Sequence, residues 1–286
     1  MLGLGTSLNR GGFISAAESL LLDEYSGAAA AYSLRKLSNT YSGNAVKVRR
    51  ASDNAELDIA FSGGGLDTSA IATHCGSSDG FVSVWYDQSS NSNNASQSTA
   101  ANQPKIYDGT TGVETENGKP CVHFNVDHLI SSAWMTQLAP MSFTLVQTPN
   151  SSARELVIGV DTSTPYTTAY HNWSSSGGSG FLSPRLASFP ANSVSTSLMT
   201  EDVLNLVSSY ASTTAVNFYT NGSISAESPI SHSNTSAADG VITIGSPTTY
   251  NPIRSSKISE VVFWLADQSS NRTNIESNIN TFYSIF

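Results

Sequence analysis

The residues able to do proton or nucleophile chemistry in this sequence are few and scattered. Glu155, Asp161, Asp239 and Glu260 are the carboxylates that fall in or beside strand-like stretches of the second half. Two carboxyl groups flanking a glycosidic bond, one donating a proton and one attacking, need a separation of roughly 5 to 5.5 Å in the retaining geometry. Glu260 lies inside KISEVVFWL and reads as a solvent-facing strand position. Asp161 precedes a run of aromatic residues among Ser and Gly, and with Tyr170, Asn172 and Trp173 it forms the cluster expected to hold a ligand. An aromatic face stacks on a pyranose ring while Asn and Asp hydrogen-bond its hydroxyls. The competing reading of Tyr170 and Trp173 is that they anchor a loop on the sheet.

Other chemistries lack their residues. His74, His123, His128, His171 and His232 show no spacing that converges on a metal, so no metal or cofactor is expected. Cys75 and Cys121 allow one disulfide and are read as two buried thiols, because a chain of 286 residues needs no disulfide framework. Gly63, Gly64 and Gly65 lack the spacing of a phosphate-binding loop, and no Ser, His and Asp set has a nucleophile-elbow context. Asp87, in WYDQSSN, is read as an Asx cap holding a long loop rather than as a calcium ligand.

Charge excludes some partners. A net charge of −9, a pI near 4.9 and only 12% charged residues leave few cations to release counterions from a phosphate backbone or an anionic membrane. Nucleic-acid and membrane partners are therefore not expected. The one basic cluster, Lys47, Arg49 and Arg50, reads as a strand edge with a salt-bridged or solvated face. The first 25 residues show neither a basic segment followed by a long apolar core nor a small-residue cleavage site, and no run of 18 apolar residues occurs, so no secretory signal or membrane span is expected. Residues 1–22, with Leu2, Leu4, Leu8 and Phe13 among glycines, read as an arm that docks on a neighbouring subunit or partner.

The elements that must position these groups are mostly short strands. Ser26 to Tyr41 carries four alanines and apolar residues at helical spacing, which predicts a helix capped by Ser26. Strands are expected at 45–50 and 55–61, and Asp67 should cap a short helix that ends near Gly76. Phe81, Val82, Val84, Trp85 and Tyr86 favour a buried strand, followed by an amide-rich turn closed by Pro104. Further strands are expected at 121–126, 141–148, 155–160, 203–209, 214–219, 241–244 and 257–265, and Asn221-Gly222 signals a type I′ hairpin. A final helix is expected, with a capping box of Thr273 and Glu276 and a buried stripe of Ile275, Ile279, Phe282 and Phe286. The expected fold class is all-β: a two-sheet antiparallel jelly-roll sandwich, concanavalin A-like or laminin-G-like, with short flanking helices, spanning residues 23–286 as one domain.

Two stretches, AYSLRKLSNTYSGNAVKVRRASDNAELDI (31–59) and FVSVWYDQSSNSNNASQSTAANQPKI (81–106), carry a family resemblance. They resemble the start of the catalytic domain of α-L-arabinofuranosidase B, glycoside hydrolase family 54, which is a concanavalin A-like sandwich. The resemblance implies a Glu nucleophile near IGVDTST (158–164), where Asp161 is the nearest acid. It also implies an Asp general acid after an Ile-Gly step, where this chain reads ITIGSPTTYNP (242–252) with Ser246 and Pro247. Neither acid is matched, so the scaffold is inherited and the activity is not implied. The same block with its apolar arm also resembles modules displayed on tailed-phage particles. The expected function is thus a non-catalytic virion structural or adhesion protein: a head fibre, capsid decoration or tail adhesin. It would be a homo-oligomer on the particle surface, joined to other virion proteins by its arm and able to bind cell-surface glycan. The alternative is a glycoside hydrolase of arabinofuranosidase type with relocated carboxylates.

Overall fold

The computed structural model describes residues 19–135, 140–149, 200, 202–225, 228–231, 240–245 and 256–286, and the backbone of strand segments 158–161, 168–174, 179–185 and 194–196. The expected docking-arm residues Leu2, Leu4, Leu8 and Phe13 lie outside the described residues. Two layers of antiparallel strands pack face to face. The first layer contains β1 (Ala28–Ser33), β9 (Met141–Thr148), β14 (Asn205–Ala211), β15 (Ala215–Thr220) and β17 (Ser256–Trp264). β17 is its centre, pairing with β1 on one side and β9 on the other, and β14 and β15 continue outward from β9.

The second layer holds β2 (Val46–Arg50), β3 (Glu56–Ile59), β4 (Gly80–Trp85), β5 (Ala95–Ser96), β8 (His128–Met135), β10 (Ile158–Asp161) and β16 (Gly240–Gly245). Pairing runs from β3 through β2, β4, β5 and β8 to β16 and β10. β6 (Lys105–Asp108) and β7 (Val122–Phe124) join the layers, since β6 pairs with β4 and β7 pairs with β17. A further hairpin set comprises β11 (Thr168–Ser174), β12 (Ser179–Arg185) and β13 (Val194–Thr196).

The interlayer core is built from inward positions of both sheets, including Tyr32, Val48, Val82, Trp85, Leu129, Phe143, Leu145, Ile242, Ile244, Val261 and Phe263. A second cluster lies on the outer face of the first layer, where helix α3 (Arg272–Tyr283) packs Ile275, Ile279 and Tyr283 against Ala31, Val146, Leu206, Val262 and Trp264. Leu21 and Leu22, in the short helix α1 (Leu21–Glu24), are buried in this cluster too. Period-two alternation supplies both clusters from one strand, because successive side chains leave opposite faces of the sheet.

Local signals predicted several elements correctly. Helix α2 (Thr68–Cys75) has Asp67 as its N-cap, accepting from the Ala70 N–H, and Gly76 at its C-terminal end with φ +60°. Asn221 and Gly222 both adopt positive φ, as the type I′ hairpin demands. Cys75 and Cys121 are free, buried thiols.

Three expectations are corrected. The alanine-rich run forms strand β1 rather than a helix, with Ala30 and Tyr32 in the interlayer core and Ala28 and Ala31 beneath the α3 cluster. Helix propensity separates residues by less than about 1 kcal/mol each, whereas a strand buried on both faces gains more, and alanine lets two layers close on it. The capping box does not form. Asn271 precedes the helix without a side-chain cap bond, and Glu276 instead accepts from Ser208 Oγ at 2.5 Å and Arg272 Nη1 at 2.6 Å. The buried stripe runs through Ile275, Ile279 and Tyr283, leaving Phe282 half-buried and Phe286 exposed.

Candidate functional site

Strand β16 ends in the Ile244-Gly245 step, and its neighbours bring chemistry-bearing residues to that end. His128 stands opposite Gly245 and Leu129 opposite Ile244 on one side, while Ile158 stands opposite Ile244 on the other. The chain enters β8 through a tight turn in which Val126 takes φ +66°, a conformation that costs a β-branched residue energy. The Asp127 carboxylate caps this turn, its Oδ2 accepting the Asn125 N–H at 2.9 Å. Gly245, at φ +83°, is required here: a Cβ on it would come 2.4 Å from the Asp127 carbonyl oxygen and 2.5 Å from the Phe124 ring.

Asp127 is half-buried, and that desolvation, only partly offset by the Asn125 N–H, pushes its carboxyl up to about 6. His128 beside it is buried, and burial lowers its basicity, keeping the imidazole neutral at physiological pH. Its tautomer follows from Gln97. The Thr99 N–H donates to Gln97 Oε1, so the amide nitrogen of Gln97 faces His128 Nε2 at 2.9 Å. An amide nitrogen only donates, so Nε2 accepts and the ring proton sits on Nδ1. Among the described residues that Nδ1–H has no acceptor. A buried donor left unpaired costs about 1–3 kcal/mol, and this one faces the protein interior, out of reach of solvent.

The remaining acids of the sequence expectation separate. Glu260 is fully buried rather than solvent-facing, which corrects its reading. Its Oε2 accepts from Arg35 Nε and from Ser33 Oγ, each at 2.7 Å, and its Oε1 from Arg35 Nη2 at 3.1 Å. Every lone pair of consequence is engaged, so Glu260 is a structural counter-ion. Asp87 is consumed in the same way. Oδ1 accepts from the Ala31 and Ser89 N–H groups at 2.8 Å, and Oδ2 from Ser89 Oγ at 2.7 Å and the Asn93 N–H at 2.9 Å. It is the expected Asx cap, and it also staples the loop to β1.

Asp161 stands opposite Val241, four residues along β16 from Gly245. At about 3.3 Å per residue, that separates it from the Asp127 end by roughly 13 Å, beyond the spacing of either a retaining or an inverting pair. Tyr170, Asn172 and Trp173 lie together on β11, opposite Ser183, Phe181 and Gly180 of β12, and only their backbone is described. Glu155 and Asp239 lie outside the described residues. Asp127 and His128 are candidate residues that the sequence does not single out. Their one local trace is a carboxylate-imidazole pair before an apolar run, and nothing in it foretells Gly245 as their neighbour.

The basic cluster is not an edge, since β2 lies between β3 and β4. Arg50 pairs with Asp53 at 2.7 Å, Lys47 approaches Asp58 at 3.9 Å, and Arg49 covers the Phe81 ring at 5.0 Å. No cluster of metal-ligating side chains occurs among the described residues, and none of their helices is long and apolar enough to cross a membrane.

The family described as "Alpha-L-arabinofuranosidase B, catalytic" matches residues 24–128, a span that runs from α1 to the first residue of β8. A GH54 α-L-arabinofuranosidase soaked with a cyclic sulfate inhibitor superposes with a TM-score of 0.66 over 88% of this chain at 16% identity. The chain shares the jelly roll of the GH54 enzymes. A second solved arabinofuranosidase, complexed with arabinofuranosyl-α-1,2-xylobiose, gives a TM-score of 0.65 with the same coverage and identity. The chain spans 62% of the length of each of these proteins. No curated protein matches the sequence.

Proposed function

We propose that this chain is a carbohydrate-active protein, a glycoside hydrolase of arabinofuranosidase type whose carboxylates have moved from the positions the family uses. The observation that carries the reading is Asp127, a half-buried carboxyl held up to about 6 beside the Ile244-Gly245 step. That step is where the resemblance calls for a general acid, and Ser246 and Pro247 follow it. A carboxyl that keeps its proton to about pH 6 can protonate a departing glycosidic oxygen under mildly acidic conditions. Glu260 and Asp87 are bound up in the framework, and Asp161 is too far along β16. Glu155, three residues before Ile158 in sequence, is therefore the partner carboxylate to test first.

The test is hydrolysis of a panel of aryl α-L-arabinofuranosides and aryl glycosides by the full chain. Turnover that falls at least a hundredfold in Asp127→Asn supports the reading. Turnover that survives that variant, or is absent across the panel, overturns it.

The second reading is the non-catalytic virion module, favoured by Ser246 and Pro247 standing where the acid is expected and by the apolar arm at 1–22. It would join a particle through Leu2, Leu4, Leu8 and Phe13 and bind host glycan through Tyr170, Asn172, Trp173 and Asp161. Glycan-array binding without turnover, together with loss of particle association on deleting residues 1–18 while the domain, with Leu21 and Leu22 in place, stays folded, would support it.

A further inference from the structure

A concavity of about 330 Å³ opens where the start of β1, the turn after Ser38 and the Asp87 turn meet. Its walls carry Ser38, Thr40, Tyr41, Ser42, Ser89 and Ser90, and Ala28 and Gln88 line it as well. It is distinct from the Asp127 site: the loop that follows Ser90 reaches β8 at Ser132, whose Oγ donates to Asn93 Oδ1, whereas Asp127 precedes the first residue of that strand.

We propose that this concavity binds one neutral sugar residue. The volume is at the small end of the roughly 300–1,000 Å³ usual for ligand pockets, which suits a single ring. None of the residues lining it is charged, so nothing there would neutralise a phosphate or carboxylate. The hydroxyl protons of Ser38, Tyr41, Ser89 and Ser90 are donated within the protein, to Asp23, Asn44, Asp87 and Ser89, so these walls offer hydroxyl oxygens that accept from the hydroxyls of a polyol. Tyr41 supplies an aromatic wall, held by its hydroxyl donating to the Asn44 carbonyl at 2.8 Å and by edge contact with Phe61. Burial and the nearby Asp87 carboxylate push its phenol up to about 12, so it stays protonated.

The lining is also set before any ligand arrives. Gln88 Oε1 accepts the Leu37 N–H, and Nε2 donates to the Ser33 and Arg35 carbonyls, all at 2.9–3.0 Å. Ser38 Oγ donates to Asp23 at 2.7 Å, and Asp87 fixes the turn that carries Ser89 and Ser90. A preordered site loses less conformational freedom on binding, which favours a small, weakly hydrophobic ligand. The proposal does not depend on hydrolysis at Asp127.

The experiment is a titration of the ¹⁵N-labelled full chain with L-arabinose, D-xylose, D-galactose, D-glucose and D-mannose, and with D-glucuronate as a charged control. Saturable shifts at the amides of residues 38–43 and 88–90 are expected with at least one neutral sugar. Affinity should fall at least tenfold in Ser42→Trp, which fills the concavity, and by a smaller factor in Ser42→Ala, with both variants melting near the parent. Three outcomes would overturn the proposal: no shift at those amides with any neutral sugar, unchanged binding in both variants, or tighter binding of glucuronate. Failure of hydrolysis with these shifts intact would count against the function proposed for Asp127 alone.

Discussion

Arg35 and Glu260 form a two-pronged ion pair inside the protein, Nε to Oε2 at 2.7 Å and Nη2 to Oε1 at 3.1 Å, across 225 residues of sequence. It ties the segment after β1 to the central strand β17. The Arg35 guanidinium also donates to Asn278 on α3 and lies 5.3 Å from the Phe282 ring centroid and 5.7 Å from that of Tyr283. The pair therefore locks the helix layer to the sheet at one point.

Removing one partner leaves the other charge buried and uncompensated, at a cost of about 3–5 kcal/mol. Arg35→Ala should lower unfolding free energy by that amount in denaturant titrations. The double variant Arg35→Met with Glu260→Leu should lose less than the two single variants added together. Additive losses would show that the pair is not coupled.

Asp87→Ala should destabilise the chain by several kcal/mol, because it strands the buried Ala31 N–H and frees the Ser89 and Asn93 amides. Hydrogen exchange should show these three amides losing protection first. Protection equal to that of the parent would mean that water or a neighbour replaces the carboxylate.

Asp127 should make stability depend on pH in an identifiable window. Its folded-state carboxyl titrates near 6 against an ordinary 3.8, so between those values the folded chain holds a proton that the unfolded chain has released. Stability from this group is therefore highest below about pH 3.8, declines as pH rises to about 6, and stays level above. Asp127→Asn should remove the decline and gain on the order of 1 kcal/mol relative to the parent at pH 7.5, with no gain at pH 3.5. An equal effect at both pH values would argue that the side chain acts through packing rather than charge.

Gly245→Ala should disturb the same site through backbone geometry. The added Cβ meets the Asp127 carbonyl and the Phe124 ring at a positive φ that alanine resists. A lower melting temperature and shifted amides at 124–129 are expected, with residues 38–43 unchanged. Wild-type shifts at 124–129 would show that the close approach is not rigid.

Elements set by local chemistry are legible in the sequence. Asp67 and Gly76 bound α2 because capping is a matter of three or four consecutive residues. Met141–Thr148 and the Asn221-Gly222 hairpin were legible for the same reason. β1 forms against the helical preference of its four alanines because distant parts of the chain cover it: β17 pairs beside it, α3 packs over one face and the second layer, with Val48, Val82 and Trp85, packs over the other. Glu260 was misplaced on the same ground. An acid in a strand reads as exposed unless its partner is known, and Arg35 is 225 residues away.

The sequence by itself determined an all-β sandwich with a structural Asx turn at Asp87, because alternation, turn chemistry and capping act over a few residues. It also placed two buried thiols at Cys75 and Cys121. Only the tertiary structure decided which carboxyls are tied into the framework and which is desolvated without a counter-ion. Glu260 and Asp87 are held by hydrogen-bond donors that the fold delivers to them, while Asp127 is desolvated beside Gly245 by a strand contributed more than a hundred residues later. Acidity and burial are properties of a side chain's surroundings, and those surroundings exist only once the two sheets have met.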